Sequence, residues 1–174
     1  MRIPDPRPTL RGTPVFLFLF LSGCGEETLE PNSPRARLHA AEQALSKKQL
    51  DAAGRHYRAA LAAFEQTADR DVLSGDDDFA HTLRGLAQVH SFRGEVAKAE
   101  SLLHHLLSIQ SAEGPDTSGD RLATTIASLA GLNMARGNYD ASDRYFGRIL
   151  TLSEEGLLTE DRLLAFAYGG LGKT

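Results

Sequence analysis

The sequence predicts an all-α fold, a stack of helical hairpins, and three observations carry that expectation. First, one turn pattern occurs three times, as Lys48-Gln49-Leu50-Asp51-Ala52-Ala53, Gly94-Glu95-Val96-Ala97-Lys98-Ala99 and Gly137-Asn138-Tyr139-Asp140-Ala141-Ser142, with turn positions 46 and 43 residues apart. Second, apolar residues follow each turn at three- and four-residue steps, in Tyr57/Ala60/Leu61, Leu103/Leu106/Leu107 and Phe146/Ile149/Leu150. That is the stripe of a helix burying one face. Third, 174 residues with 41% hydrophobic and 24% charged content suit one folded domain. A single cysteine excludes a disulfide framework and any multi-cysteine metal site. A net charge of −4 argues against a nucleic-acid binder, which needs a basic face to neutralise phosphates. With no tryptophan and 7% aromatic residues, there is little material for stacking platforms.

The N-terminus differs from the rest. Arg2, Arg7 and Arg11 precede the apolar run Val15 to Leu21, and small residues then lead to the only cysteine. Seven apolar residues are too few for a transmembrane helix, which needs roughly 20. A basic region, a short apolar core and small residues read as a secretory signal. The ending Leu21-Ser22-Gly23-Cys24 resembles the lipobox of bacterial lipoproteins. That resemblance implies a diacylglycerol thioether on Cys24 and cleavage just before it. Residues 1–23 are then a signal peptide, 24–33 a tether with proline and polar residues, and 34–174 the folded domain. Gly25 rather than aspartate after the lipidated residue implies, by enterobacterial sorting rules, the outer membrane, with the folded domain in the periplasm.

Seven helices are expected in order, over 34–46, 49–66, 78–92, 95–111, 120–135, 138–154 and 160–171. Ala40-Ala41 and Ala44 in the first align with Leu86-Ala87 and His90 in the third, and with Leu129-Ala130 and Asn133 in the fifth. Small residues there let paired helices approach closely. Gly94 and Gly137 supply a left-handed backbone for the reversals, and Lys48 stands at the same site in the first hairpin. Gly114-Pro115 ends the fourth helix. Asp76-Asp77-Asp78, Asp120 and Asp161 each open a helix and are expected to cap it. Three consecutive carboxylates at a helix start cannot converge on one metal ion. The last helix, Leu163 to Leu171, is the opening half of a fourth hairpin without its partner.

Chemical motifs fail on context. Ala167 to Thr174 formally matches a phosphate-loop pattern, but a helical segment precedes it and no following helix can cradle phosphates. His39, His56, His81, His90, His104 and His105 include no pair at four-residue spacing, so no metal site is expected. No Gly-x-Ser-x-Gly occurs. Neither catalytic residues nor a cofactor are expected.

The hairpins resemble the tetratricopeptide repeat. Leu83, Leu86-Ala87, Gly94, Ala99 and Leu103 match its pattern in the second, as do Ile126, Leu129-Ala130, Gly137-Asn138-Tyr139 and Phe146 in the third. The spacing resembles the version of about 42 residues found in kinesin light chains and many bacterial proteins. The resemblance implies a concave groove lined by the first helix of each hairpin. Carried over by position, it assigns His81, Arg84, Gln88 and Ser91, then Thr124, Ala127, Gly131, Asn133 and Met134. The implied function is a non-catalytic interaction scaffold anchored in the cell envelope, or an assembly lipoprotein supporting pilus, secretin or outer-membrane protein biogenesis. Its partners would be other envelope proteins or peptides, and the membrane through Cys24. The apolar last helix adds Leu164, Phe166 and Tyr168 as a candidate interface for self-association or a partner.

Overall fold

The computed structural model of the chain describes residues 32–67, 76–112 and 118–172. It is all-helical over those residues, with α1 (Pro34–Ser46), α2 (Leu50–Thr67), α3 (Asp77–Phe92), α4 (Val96–Ala112), α5 (Gly119–Ala135), α6 (Tyr139–Glu154) and α7 (Asp161–Leu171). Every boundary falls within one residue of the expected one.

Local chemistry explains the reversals. Each of α1, α3, α5 and α6 ends in the same hydrogen-bonded motif. The amide two residues past the last turn reaches five residues back: Gln49 to the Ala44 carbonyl, Glu95 to His90, Asn138 to Asn133 and Leu157 to Leu152, at 2.8–3.0 Å. Such a closure needs one left-handed residue. Gly94 (φ 74°), Gly137 (φ 77°) and Gly156 (φ 73°) supply it in three cases, and Lys48 (φ 57°) in the first. The two residues that close the bond differ in kind. His90 Nδ1 lies 2.5 Å from a Glu95 carboxylate oxygen, and Asn138 Nδ2 donates to Asn133 Oδ1 at 3.2 Å.

The acidic residues have more specific tasks than capping alone. Asp76 does cap α3, accepting from the Asp78 and Phe79 amides at 2.8 and 3.0 Å. Its two neighbours diverge: Asp78 pairs with Arg35 of α1 at 2.6 Å, and Asp77 with Arg121 of α5 at 3.1 Å. The expected cap at Asp120 is corrected. Ser118 holds the α5 N-cap position, and the Asp120 carboxylate instead accepts from the amides of Thr159 and Glu160 and from the Thr159 hydroxyl. It thereby fixes the entry to α7, whose own N-cap, Glu160, makes no side-chain capping bond. Asp161 is the first residue of α7 rather than its cap.

Packing is sequential. The substantial contacts join each helix to the next, and α1 to α3, α3 to α5, and α5 to α7. Three apolar clusters result among the described residues. One lies among α1, α2 and α3 around Tyr57, and one among α2, α3 and α4 around Phe64, Phe79 and Leu83. The largest spans α3 to α7 around Ile126, Leu129 and Phe146. Leu102 of α4 packs against all three. Three glycines permit the closest approaches. A Cβ at Gly85 would collide with the Tyr57 ring, one at Gly170 with the Phe146 ring, and one at Gly119 with the Leu157 carbonyl. The C-cap arginines then join consecutive hairpins. Arg93 reaches Asp51 of α2 at 2.5 Å, and Arg136 reaches Glu100 of α4 at 2.8 Å.

Candidate functional site

Helices α1, α3 and α5 lie side by side because their turns and small residues repeat, and their shared face forms a groove of about 530 Å³. From α3 it receives His81, Arg84, Gln88 and Ser91, the four residues the sequence assigned to that helix. Helix α1 adds Glu42 and Leu45, and α5 adds Ser128 and Gly131. Tyr57 stands behind Gly85 in the groove wall, and Phe92 forms a rim, 61% exposed.

The charges in the groove are unequal in their pairing. His81 Nε2 lies 3.0 Å from a Glu42 oxygen, tying α3 to α1 across the groove. Burial pushes the Tyr57 hydroxyl up to about 12, with the Glu42 carboxylate adding to the effect. Arg84 differs. Loss of water pulls its guanidinium below the ordinary arginine value, the attraction of Asp77 opposes this, and repulsion by Arg121 adds to it. Asp77 is already engaged by Arg121. Among the described residues the Arg84 side chain has neither a hydrogen bond nor an ion pair, and the same holds for the Gln88 and Ser91 side chains.

The remaining assigned positions separate. Asn133 is buried, and its amide donates to the Leu129 carbonyl at 2.9 Å, so it braces the turn instead of facing the groove. Thr124 donates to the Asp120 carbonyl, Ala127 packs against the largest core cluster, and Met134 lies outside the groove lining. Sequence reasoning missed Glu42 and Ser128. Glu42 stands two residues before Ala44, as Gln88 stands two before His90 and Gly131 two before Asn133, so extending the repeat register to the first hairpin would have found it.

The candidate interface on α7 is not one patch. Tyr168 (64% exposed) and Phe166 (42% exposed) flank the buried stripe Leu163, Ala167 and Gly170 on opposite sides, with Leu164 half-buried beside it. Phe166 meets the Phe146 ring edge-on, with centroids 5.5 Å apart. Cys24, the signal segment, most of the tether and the final Lys173-Thr174 lie outside the described residues. Residues 167–171, inside the phosphate-loop-like stretch, are helical. No described helix is long and apolar enough to cross a membrane. In comparisons with known proteins, no family model and no characterised protein matches this chain.

Proposed function

We propose that the chain is a non-catalytic interaction scaffold of the bacterial cell envelope. In this reading it is a tetratricopeptide-type solenoid of three hairpins and a lone last helix, held at the membrane by a lipid on Cys24. The observation that carries it is the groove. Equivalent positions of α1, α3 and α5 (Glu42, Gln88 and Gly131) line one concavity, which also displays polar side chains without partners among the described residues. A solenoid uses such a surface to hold a segment of another protein. The lipobox-like Leu21-Ser22-Gly23-Cys24 supports the anchor, since two or three acyl chains at about 0.8 kcal/mol per buried methylene hold a protein at a bilayer without any apolar face on its body.

Two measurements test the reading. Cys24→Ser is expected to leave an uncleaved precursor that leaves the membrane fraction. An unchanged mass and membrane fraction would end the lipoprotein assignment. A photo-crosslinking amino acid at Gln88 is expected to capture partner protein in cells, and the same group at His105, on the exposed side of α4, is not. Equal capture at both positions, or none at Gln88, would overturn the groove assignment.

A further inference from the structure

We infer that the outer face of the even-numbered helices rests on anionic phospholipid headgroups, through a belt made by Arg55 and Arg58 of α2 and Arg144 and Arg148 of α6. This rests on the anchored-scaffold reading above and adds the surface that the anchored domain turns toward its bilayer.

The belt follows from the repeat register. Arg55, Ser101 and Arg144 each stand seven residues after a turn position (48, 94 and 137), Arg58, His104 and Gly147 stand ten after it, and Ala59, His105 and Arg148 eleven. Those positions span about 100° around a helix and about 6 Å along it, so each helix contributes one patch at the same height. The four arginines and both histidines are exposed, on the side away from buried residues such as Tyr57 and Phe64 of α2 or Phe146 and Ile149 of α6. Helices α2, α4 and α6 pack substantially only on odd-numbered helices, which places them in one outer layer. Within it the Tyr145 hydroxyl of α6 lies 3.5 Å from His104 Nε2 of α4.

The charge of the belt is uncompensated. Among the described residues none of its four arginine side chains has a hydrogen bond or an ion pair. The carboxylates of these helices are engaged elsewhere or set apart. Asp51 is held by Arg93, Glu95 by His90 and Lys98, and Glu100 by Arg136. Asp143 turns one oxygen into a buried position. Asp140 borders the belt one turn before it, and Glu65 and Glu154 stand ten residues past Arg55 and Arg144, roughly 15 Å along the axis. Between the cations the side chains are small, as at Ala59, Ala62, Ser101, Ser108 and Gly147, so several guanidinium groups can reach one flat layer together.

A bilayer is the occupant that fits this charge. The whole chain carries a net −4, so the belt reverses the sign locally, and the surface that attracts it repels the acidic remainder. Those opposed forces set an orientation. In the anchored reading ten residues, 24–33, separate the lipidated cysteine from α1, at most about 36 Å when fully extended, so the belt stays within reach of the headgroups. At physiological salt, charges are screened beyond about 8 Å, so the contact orients an anchored domain and is too weak to hold an unanchored one. The groove on α1, α3 and α5 then faces away from the membrane, open to a partner.

The test uses the full-length chain taken from membranes and reconstituted in vesicles, with a diazirine amino acid at Ser101 or, as the comparison, at Gln88. The vesicles are phosphatidylcholine alone or with about one-third phosphatidylglycerol. Phospholipid captured on irradiation is read as a mass increment on the protein. Capture at Ser101 is expected with phosphatidylglycerol and should fall about tenfold, to the level at Gln88, in phosphatidylcholine alone or at high salt. Near an anionic bilayer each arginine strengthens binding about fivefold. Arg55→Gln should therefore weaken docking about fivefold, and all four arginines changed to Gln should reduce capture to the Gln88 level. Changing all four to Lys should preserve it. Removing the same charge elsewhere, with Lys47, Lys48, Arg136 and Arg162 changed to Gln, should alter capture by less than about twofold. Because the lipid comparison is made without any belt substitution, it stands even if a variant fails to fold. Equal capture at Ser101 and Gln88, or in the two kinds of vesicle, would overturn the inference while the anchor stands. Capture of a protein in place of phospholipid at Ser101 in cells would give the belt to an acidic partner and overturn it as well. A chain that does not float with the vesicles would overturn the anchor and the belt together.

Discussion

Helices α3 and α7 sit in the stack in the same register and end with opposite fates. Each lays a glycine on a ring of the preceding hairpin, Gly85 on Tyr57 and Gly170 on Phe146. Counting from those glycines, Leu83 corresponds to Tyr168 and Leu86 to Leu171. Leu83 is 1% exposed, packed among Phe64, Phe79 and Leu106, whereas Tyr168 is 64% exposed. The difference is α4, which covers that face of α3. Among the described residues no helix does so for α7. Burial in such a stack is a property of the neighbour rather than of the residue, because each unit buries its apolar side only against the next.

The largest expected effect tests that contrast directly. Leu83→Ala should cost about 2–5 kcal/mol of stability, while Tyr168→Ala should stay within about 0.5 kcal/mol, both read by thermal denaturation. A comparable loss from Tyr168 would mean that its face is covered in solution. A smaller effect separates the two glycines. At Gly85 an added methyl collides with a buried ring, a cost of about 1–3 kcal/mol that the roughly 1 kcal/mol gain in helix propensity only partly offsets. Among the described residues the substantial contacts of α7 are with α5 and α6, so it can recede, and Gly170→Ala should cost less than Gly85→Ala. The reverse order in melting temperature would show that α7 is as firmly held as α3.

The smallest effect concerns the tie between α5 and α7. Asp120→Ala removes the acceptor for Thr159 and Glu160, a loss of about 1 kcal/mol by analogy with a helix cap. Amide exchange should accelerate in α7 and stay unchanged in α1 to α3; uniform acceleration would refute a local role. The pH dependence has a definite sign. Partial burial raises the Asp120 value, but the hydrogen bonds from Thr159 and Glu160 outweigh this and hold the carboxyl below the ordinary 3.8. Its contribution is therefore present above that value and is lost as the pH falls through the lowered one. In the wild type, α7 should loosen under acid through this range, and in Asp120→Ala that part of the pH dependence should vanish.

What the sequence disclosed follows the range of the interactions involved. Helix limits and reversals were legible because they depend on neighbours within five positions. Gly94 and Gly137 have no Cβ to strain, and Asp76 caps amides two and three residues away. The α3 share of the groove was legible too, since once a helix is phased its exposed face is determined. On α5 Gly131 lines the groove as assigned, but Ser128 does so in place of its neighbour Ala127, and one position turns a side chain by about 100°. Asp120 could not have been read, because its partners lie 39 and 40 residues away and nothing local announces them. Nor could Arg93 and Arg136, each of which stands before a turn glycine but acts on the preceding hairpin.

The sequential contacts have a kinetic meaning. With each helix meeting its neighbour, and the odd-numbered helices also meeting the next but one, the described residues never have to bring distant ends together before they gain anything. Topologies dominated by such short-range contacts fold fastest, since little loop-closure entropy precedes the first favourable burial. The first hairpin can consolidate before the third has formed. The Asp120 bonds to Thr159 and Glu160, spanning 39 and 40 residues, are the kind that such a chain can leave until its hairpins have formed.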